Sequence, residues 1–337
     1  LTTINFTKTK ILLNFNGVKL LKKFLSKVIE FSPEAKVIVI DNGSTDTSVS
    51  WIKINYPDLQ CISLSENLGY AGGYNEGLKE VDADVYCLLN TDVLVTKNWL
   101  PPLLDHFKSN SETGILQPHI LDFKKPSHFE YAGAAGGFID ANGFPFCRGR
   151  IHKNIEEDKG QYDLPTQVFW ASGACFFIRS KLFWEQNGFE DSFFSHQEEI
   201  DLCWRVFNAE YKTMALGASK VYHVGGATLA PSPQKVFLNH RNSLLMLTKN
   251  VPSEKLAWTL FKRLCWDGLI SGYYLLNLNF NSTLAIIKAH YAFYKGFKAM
   301  KLKSEQFVKK ENFFYTKNIL LSYFLDKKLI FKDLNKK

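Results

Sequence analysis

Lys36-Val37-Ile38-Val39-Ile40-Asp41-Asn42-Gly43 is a β-branched run that stops at an acid and a glycine turn. Upstream, Lys10 to Phe15 is a short apolar run closed by Asn16-Gly17, and Leu20 to Phe31 has apolar residues at helical spacing. Downstream, Thr47 to Ile54 reads as a helix capped by Thr45 or Asp46, and Cys61 to Leu64 as a short strand. A glycine-rich stretch, Asn67 to Gly77, precedes a buried strand, Val85 to Leu89, which ends at Asn90-Thr91-Asp92. Strands alternating with helices predict an α/β fold, a Rossmann-like and mostly parallel sheet flanked by crossover helices. Ligands of such sheets bind at the carboxyl ends of the strands, where Asp41 and Asp92 fall.

Residues 114–165 read as irregular, with short strands and loops. Val168 to Arg179 is strand-like but broken at Ser172-Gly173. His196 to Ala209 reads as a helix opened by acids, and Thr213 to Val224 as a last strand. Leu256 to Met300 has a helical, aromatic pattern, so the division is 1–250 for a catalytic domain and 251–337 for a C-terminal helical extension. The charge divides the same way. Of a net +8, residues 251–337 hold 16 Lys and Arg against 6 Asp and Glu, which leaves the body slightly acidic. The basic tail is expected to meet an anionic membrane surface, and nucleic acid is not an expected partner.

Residues 268–287 lack charge but hold six Ser, Asn and Thr. A hairpin on the domain or on a membrane surface fits them better than a spanning helix. The first apolar run is too short for a signal peptide. Six cysteines without a CxxC pair argue against zinc and disulfide frameworks, so a reduced, cytoplasmic protein is expected, peripheral on the inner face of the cell membrane.

Four places carry chemistry. Asp41 ends a strand and suits either a ribose or base contact or a capping turn. The glycines from Gly69 to Gly77 suit close approach to a nucleotide, with Asn75 as a polar contact, or a tight helix start. Their place after the third apolar run excludes a dinucleotide fingerprint, and with it a nicotinamide dehydrogenase. Asp92 can ligate Mg²⁺ or Mn²⁺. His196-Gln197-Glu198-Glu199-Ile200-Asp201 is the densest titratable cluster, with Glu198 and Asp201 sharing a helix face. A carboxylate there, partly buried, suits a general base. His223, before Gly225-Gly226, is a candidate ligand.

Asp41-Asn42-Gly43-Ser44-Thr45-Asp46, Asn67 to Asn75, Leu88-Leu89-Asn90-Thr91-Asp92, Ala171-Ser172-Gly173-Ala174, Glu198 to Arg205 and Tyr222 to Gly226 occur in an order that resembles family 2 glycosyltransferases, nearest the bacterial rhamnosyltransferase-like branch. The resemblance covers about residues 8–245. It implies a GT-A fold and an inverting, metal-dependent transfer from a nucleotide sugar, dTDP-rhamnose first and UDP-sugars second. The acceptor it implies is a saccharide or lipid-linked glycan in cell-surface glycan synthesis. By the resemblance, Asp41, Asn67, Gly69, Asn75 and Asn90 bind the nucleotide sugar, and Asp92 and His223 hold Mg²⁺ or Mn²⁺. Glu199 is the base, and Trp170, Glu198 and Asp201 face the acceptor. Asn239 and Arg241-Asn242 resemble a further family element without an assigned role. Two departures stand out. The metal motif begins with the amide of Asn90, and Glu199 stands where Asp is commoner, moving the carboxylate by about 1.5 Å. The alternative is a non-catalytic nucleotide-sugar or glycan-binding protein on the same fold; retention of Asp92, Glu199 and His223 together argues against it.

Overall fold

The computed structural model describes residues 8–225 and 232–334. Gly226, the last residue of the His223 motif, lies outside them. The first half follows the expected alternation: β1 (Lys8–Asn14), α1 (Val18–Glu30), β2 (Lys36–Asp41), α2 (Ser48–Asn55), β3 (Gln60–Ser63), α3 (Gly69–Gly77) and β4 (Val85–Asn90). These four strands pair in parallel in the order β3-β2-β1-β4. Apolar side chains cover both faces, as a sheet between two helical layers requires.

Beyond β4 come β5 (Val93–Val95), α4 (Leu100–Ser109) and β6 (Thr113–Asp122). A separate four-stranded sheet follows, of β7 (Gly137–Ile139), β8 (Pro145–Cys147), β9 (Arg150–Ile151) and β10 (Asn154–Ile155). The chain then returns to the main sheet with β11 (Thr166–Val168) and β12 (Cys175–Arg179), continues through α5 (Ser180–Glu185) and α6 (Glu198–Asn208), and ends the sheet with β13 (Lys212–His223). β12 enters antiparallel between β4 and β6, and β13 lies parallel to β6.

β6 is a ten-residue strand where the sequence reads as irregular. Gln117, Pro118 and His119 interrupt its apolar run, and the first two have a structural accommodation. The Gln117 amide reaches the carbonyls of Gly133 and Ala134 and accepts from the Ser172 N–H. The pairing with β13 skips between Leu216 and Lys220, opposite Pro118 and His119. A bulge is where a strand tolerates a residue without an N–H.

The C-terminal part is helical: α7 (Pro233–Asn250), then a hairpin of α8 (Ser253–Leu276) and α9 (Phe280–Ser304), then α10 (Ile319–Phe324). Leu256, Leu260, Phe293, Met300 and Phe313 belong to the same apolar core as the sheet residues Ile38, Leu88 and Phe176. Past α9 the chain straps back onto the small sheet. Thr316 bridges Asp140, and Phe331 packs on Phe138 and Phe146. Among the described residues no helix is long and apolar enough to cross a membrane.

Candidate active site

At the end of β2, Asp41 is buried, and both carboxylate oxygens have partners. One accepts from the Ser44 N–H at 2.9 Å and the other from Asn14 Nδ2 at 2.8 Å. Asn42 ties this turn to α3, accepting from the Leu68 N–H and donating to Asn67 Oδ1 and the Gly69 carbonyl. Asn67 in turn accepts from the Gly69 N–H at 2.9 Å. Gly69 has φ +73°, and a Cβ there would strike the Phe194 carbonyl. Asp41, Asn67 and Gly69 therefore form one hydrogen-bonded edge of the cleft. The following glycines form α3 itself. Gly73 and Gly77 have no room for a side chain against Asn42 and Ile40, so they set the distance between helix and sheet.

β4 ends beside this edge, with Asn90 half-buried and its N–H bonded to the Ala174 carbonyl. Asp92 follows, buried, with Oδ1 accepting from His223 Nε2 at 3.1 Å and Oδ2 buried without a partner. β13 delivers His223 because its last residue pairs with Val93, the residue after Asp92. Glu130, a residue that no sequence motif flags, lies 3.4 Å from His223 Nδ1. Its other oxygen is fixed by the Ala132 N–H. Burial disfavours the charged imidazole, but the flanking carboxylates outweigh it and push the His223 pKa up to about 10. A site built to hold one positive charge between two acids suits a divalent cation. Asp92 Oδ2 is an open oxygen, and carboxylate with imidazole is a donor set that Mn²⁺ accepts.

The third edge is the entry to α6. Phe194, His196 and Gln197 all have positive φ, at 64°, 71° and 74°. Bulky residues in that region cost about 1–3 kcal/mol each, so the surroundings must hold them. Asn242 does so, its Nδ2 lying 3.0, 2.9 and 2.7 Å from the carbonyls of Phe193, Ser195 and His196. Arg241 donates to the carbonyls of Ser192 and Phe193. This is the role of the Arg241-Asn242 pair: it fixes the loop that launches Glu198 and Glu199. Asn239 joins more weakly, 3.4 Å from Gln197 Nε2.

Glu198 is buried, and burial followed by the charge of Glu199 raises its pKa well above the usual carboxylate range. Glu199 is half-buried with Oε2 shut off from solvent. Burial pushes its pKa up to about 7 although backbone N–H groups at the helix start oppose the shift. Tyr70 feels both charges, and its hydroxyl donates to the Gly173 carbonyl at 2.8 Å. Through Gly173, Ala174 and Asn90 the α6 entry is thus linked to the strand end that carries Asp92.

Three expected site residues are engaged elsewhere. Asp201 is fully buried and bonded to Arg205, Lys249 and Asn250, so it faces the core and not an acceptor. Asn75 clamps the chain at Phe189 and Asp191, donating to the Phe189 carbonyl and Asp191 and accepting from the Phe189 N–H, so its amide serves the fold first. Trp170 is 4% exposed, packed on Gly137 and bonded to the Phe138 carbonyl, so its ring has no free face for a sugar. Sequence spacing located these side chains but not their distant partners.

Outside the cleft, His119, Asp158 and Asp163 bring ligand atoms within 4.8 Å of one another. The Lys220 ammonium sits 2.6 Å from Asp158 and 3.7 Å from Asp163 and supplies the positive charge there. Lys220 precedes His223 by three residues, hence on the other face of β13. Two surface hollows of about 630 and 480 Å³ flank α3 and α5, and neither is lined by Asp92, Glu199 or His223.

Residues 11–186 match the sequence family described as glycosyl transferase family 2. The chain is 24% identical, over 71% of its length and 84% of the other's, to the N-acetylglucosaminyl-diphospho-decaprenol L-rhamnosyltransferase of Mycobacterium tuberculosis. Among solved structures it resembles GalNAc-T7 with UDP, GalNAc and Mn²⁺ (TM-score 0.58, 16% identity). That match covers 74% of this chain and about half, 49%, of the other. It also resembles S. aureus TarS 1-349 in complex with UDP-GlcNAc (TM-score 0.54, 13% identity, 89% of this chain and 92% of that one).

Proposed function

Since the chain belongs to glycosyl transferase family 2 and has the GT-A fold, we propose that it is an inverting, divalent-metal-dependent enzyme that moves rhamnose from dTDP-rhamnose onto a lipid-linked saccharide of a cell-surface glycan. UDP-sugars are the second donor class. The rhamnosyltransferase relative supports rhamnose as the sugar and a lipid-diphosphate acceptor. The catalytic unit is residues 1–250.

One observation carries the reading: a carboxylate pushed up to about 7 by burial (Glu199) opens α6, whose entry loop is bonded at Phe194 to α3, and α3 reaches through Tyr70, Gly173, Ala174 and Asn90 to the strand end beside the buried Asp92–His223 couple. A base does most when its pKa lies near the working pH. Glu199 takes the proton from the acceptor hydroxyl as that oxygen attacks the anomeric carbon from the face opposite the diphosphate. Burial and the neighbouring charge of Glu199 favour the protonated form of Glu198, which spares Glu199 a second negative charge. Asp92 and His223 would hold the cation, with Glu130 orienting the imidazole from behind. When bound, Mg²⁺ or Mn²⁺ neutralises the diphosphate leaving group. The Asp41–Asn42–Asn67–Gly69 edge lies where the donor nucleoside is placed, with Asn90 at the strand end beside it.

The test is release of free nucleoside diphosphate from dTDP-rhamnose and a set of UDP-sugars, with Mn²⁺, with Mg²⁺ and with EDTA, for wild type and Glu199→Gln. Metal-dependent release from dTDP-rhamnose that is lost in the variant is expected. Donor binding by calorimetry without release even when acceptor saccharides are present would leave a binding protein. Absence of binding to every donor would overturn the reading.

A further inference from the structure

The α8–α9 hairpin departs from the rule that apolar side chains turn inward. Its lower half is anchored. Asp267 is buried and held by Arg263 at 2.9 Å, His240 at 3.0 Å and His290 at 3.2 Å. Beyond this neck, from Gly268 to Asn281, no residue is buried and none is charged. Leu269, Tyr273, Leu276, Leu278 and Phe280 are each 60–86% exposed. On α9 the stripe continues through Leu284, Ile287, Tyr291 and Tyr294, all exposed and spaced by three or four residues. A continuous exposed apolar surface of this kind marks an interaction site.

We propose that this hairpin is a lipid-docking element whose tip enters the headgroup and acyl boundary of an anionic bilayer. The inference rests on the reading above for its purpose, which is to bring the cleft to a lipid-linked acceptor. Charge selects the occupant. Between Lys255 and Lys303 the only acid is the buried Asp267, while Lys262, Lys288, Lys295 and Lys298 form a collar below the tip. Two of these lie over the rings of Trp258 and Tyr291. An apolar tip followed by lysines interleaved with aromatics is the order of an anionic leaflet read from inside out. A second copy of this surface would oppose lysines to lysines.

Three polar side chains of the tip are spent on its own backbone, which suits contact with lipid. Asn277 donates to the Tyr273 carbonyl, Asn279 caps the Ser282 N–H, and Thr283 reaches the Ser271 carbonyl. The nine residues from Gly268 to Leu276 rise about 14 Å above the neck at helical spacing, enough for one leaflet and too little to span. The lysines of the C-terminal strap are a different surface, because that segment returns to the small sheet through Tyr315, Ile319 and Tyr323.

The experiment is flotation of the full chain with vesicles of phosphatidylcholine alone and of phosphatidylcholine with phosphatidylglycerol, at low and high salt. Wild type is expected to float with the anionic vesicles, more at low salt. Leu276→Asp with Leu278→Asp should lower partitioning on the order of a hundredfold. Lys288→Glu with Lys295→Glu should lower it only on the anionic vesicles. Nucleotide release should be unchanged in both variants, which reports that they fold. Flotation unaffected by the tip changes would overturn the proposal. So would a wild-type dimer that the tip changes convert to a monomer, since a second copy then covers the face. Binding to vesicles without turnover of any donor would sink the enzymatic reading and leave this one standing.

Discussion

Glu198 and Asp201 stand three residues apart on α6, both closed off from water, yet they titrate in opposite directions. Burial opposes the charge of each. Asp201 overcomes it, since Arg205 and Lys249 outweigh burial and hold its carboxyl below the usual range. Glu190 joins the same network, held at about 2 by Lys249 and Lys303 against its burial. Glu198 and Glu199 lack such cations and rise. The same first turn of the helix thus carries an ion-paired anchor and a pair of carboxyls kept near neutrality. Partners, not depth, separate the structural acid from the chemical one.

The sharpest way to break this contrast is to exchange the roles. Glu199→Gln removes the base at nearly constant shape, so turnover should fall about a thousandfold while donor affinity by calorimetry stays level. An unchanged rate would move the base elsewhere. Asp201→Ala should act oppositely. It leaves Arg205 buried without its acid and Lys249 with Glu190 alone, at a cost of about 3–5 kcal/mol in denaturant unfolding. A loss of turnover in Asp201→Ala molecules that remain fully folded would restore the acceptor-facing role.

The sequence made one end of this contrast visible and hid the other. The acids at the start of α6, the strand ends at Asp41 and Asp92, and His223 are local signals, because each closes a periodic run with a residue that periodicity does not need. Asp201 looks identical to Glu198 by helical spacing. Its partner Lys249 lies 48 residues away on α7, a separation that no pattern within α6 encodes. Glu130 was hidden for a related reason. It sits between Phe129 and Tyr131 in a stretch without periodicity, and only the pairing of β6 with β13 brings it to His223. β6 itself was obscured because Gln117 and Pro118 look like breaks until the bulge in β13 is known.

Changing pH sharpens the comparison without mutation. The Glu199 pKa is raised from 4.5 to about 7 on folding. The folded state therefore binds the extra proton, and the stability gained from it is complete below about pH 4.5 and lost as pH rises through 7. The size is on the order of 3 kcal/mol. Glu190, lowered to about 2, contributes above its unfolded pKa and loses that contribution as pH falls toward 2. Chemical denaturation should thus find stability falling from about pH 4.5 to about 7 and level above that, while turnover climbs through pH 7, and Glu199→Gln should flatten both. A stability profile level through pH 7 in wild type would mean that Glu199 is already ionised below it.

Asn242 and Asn75 extend the contrast to neutral side chains, with smaller effects. Asn242→Ala frees the three carbonyls that hold the left-handed turn before α6. It should cost about 1–3 kcal/mol, and turnover should drop further than stability alone accounts for, because Glu199 loses its launch point. Asn75→Ala should cost about 1–2 kcal/mol, through the Phe189 carbonyl and N–H that it satisfies. Its donor affinity should not move, since the amide is held by the Phe189–Asp191 turn. Calorimetry with a nucleoside diphosphate separates the two accounts of Asn75. A weaker dissociation constant at unchanged unfolding free energy would return it to the nucleotide site, and a lower unfolding free energy at unchanged affinity would keep it as the clamp that sets where the chain enters the turn at Phe194.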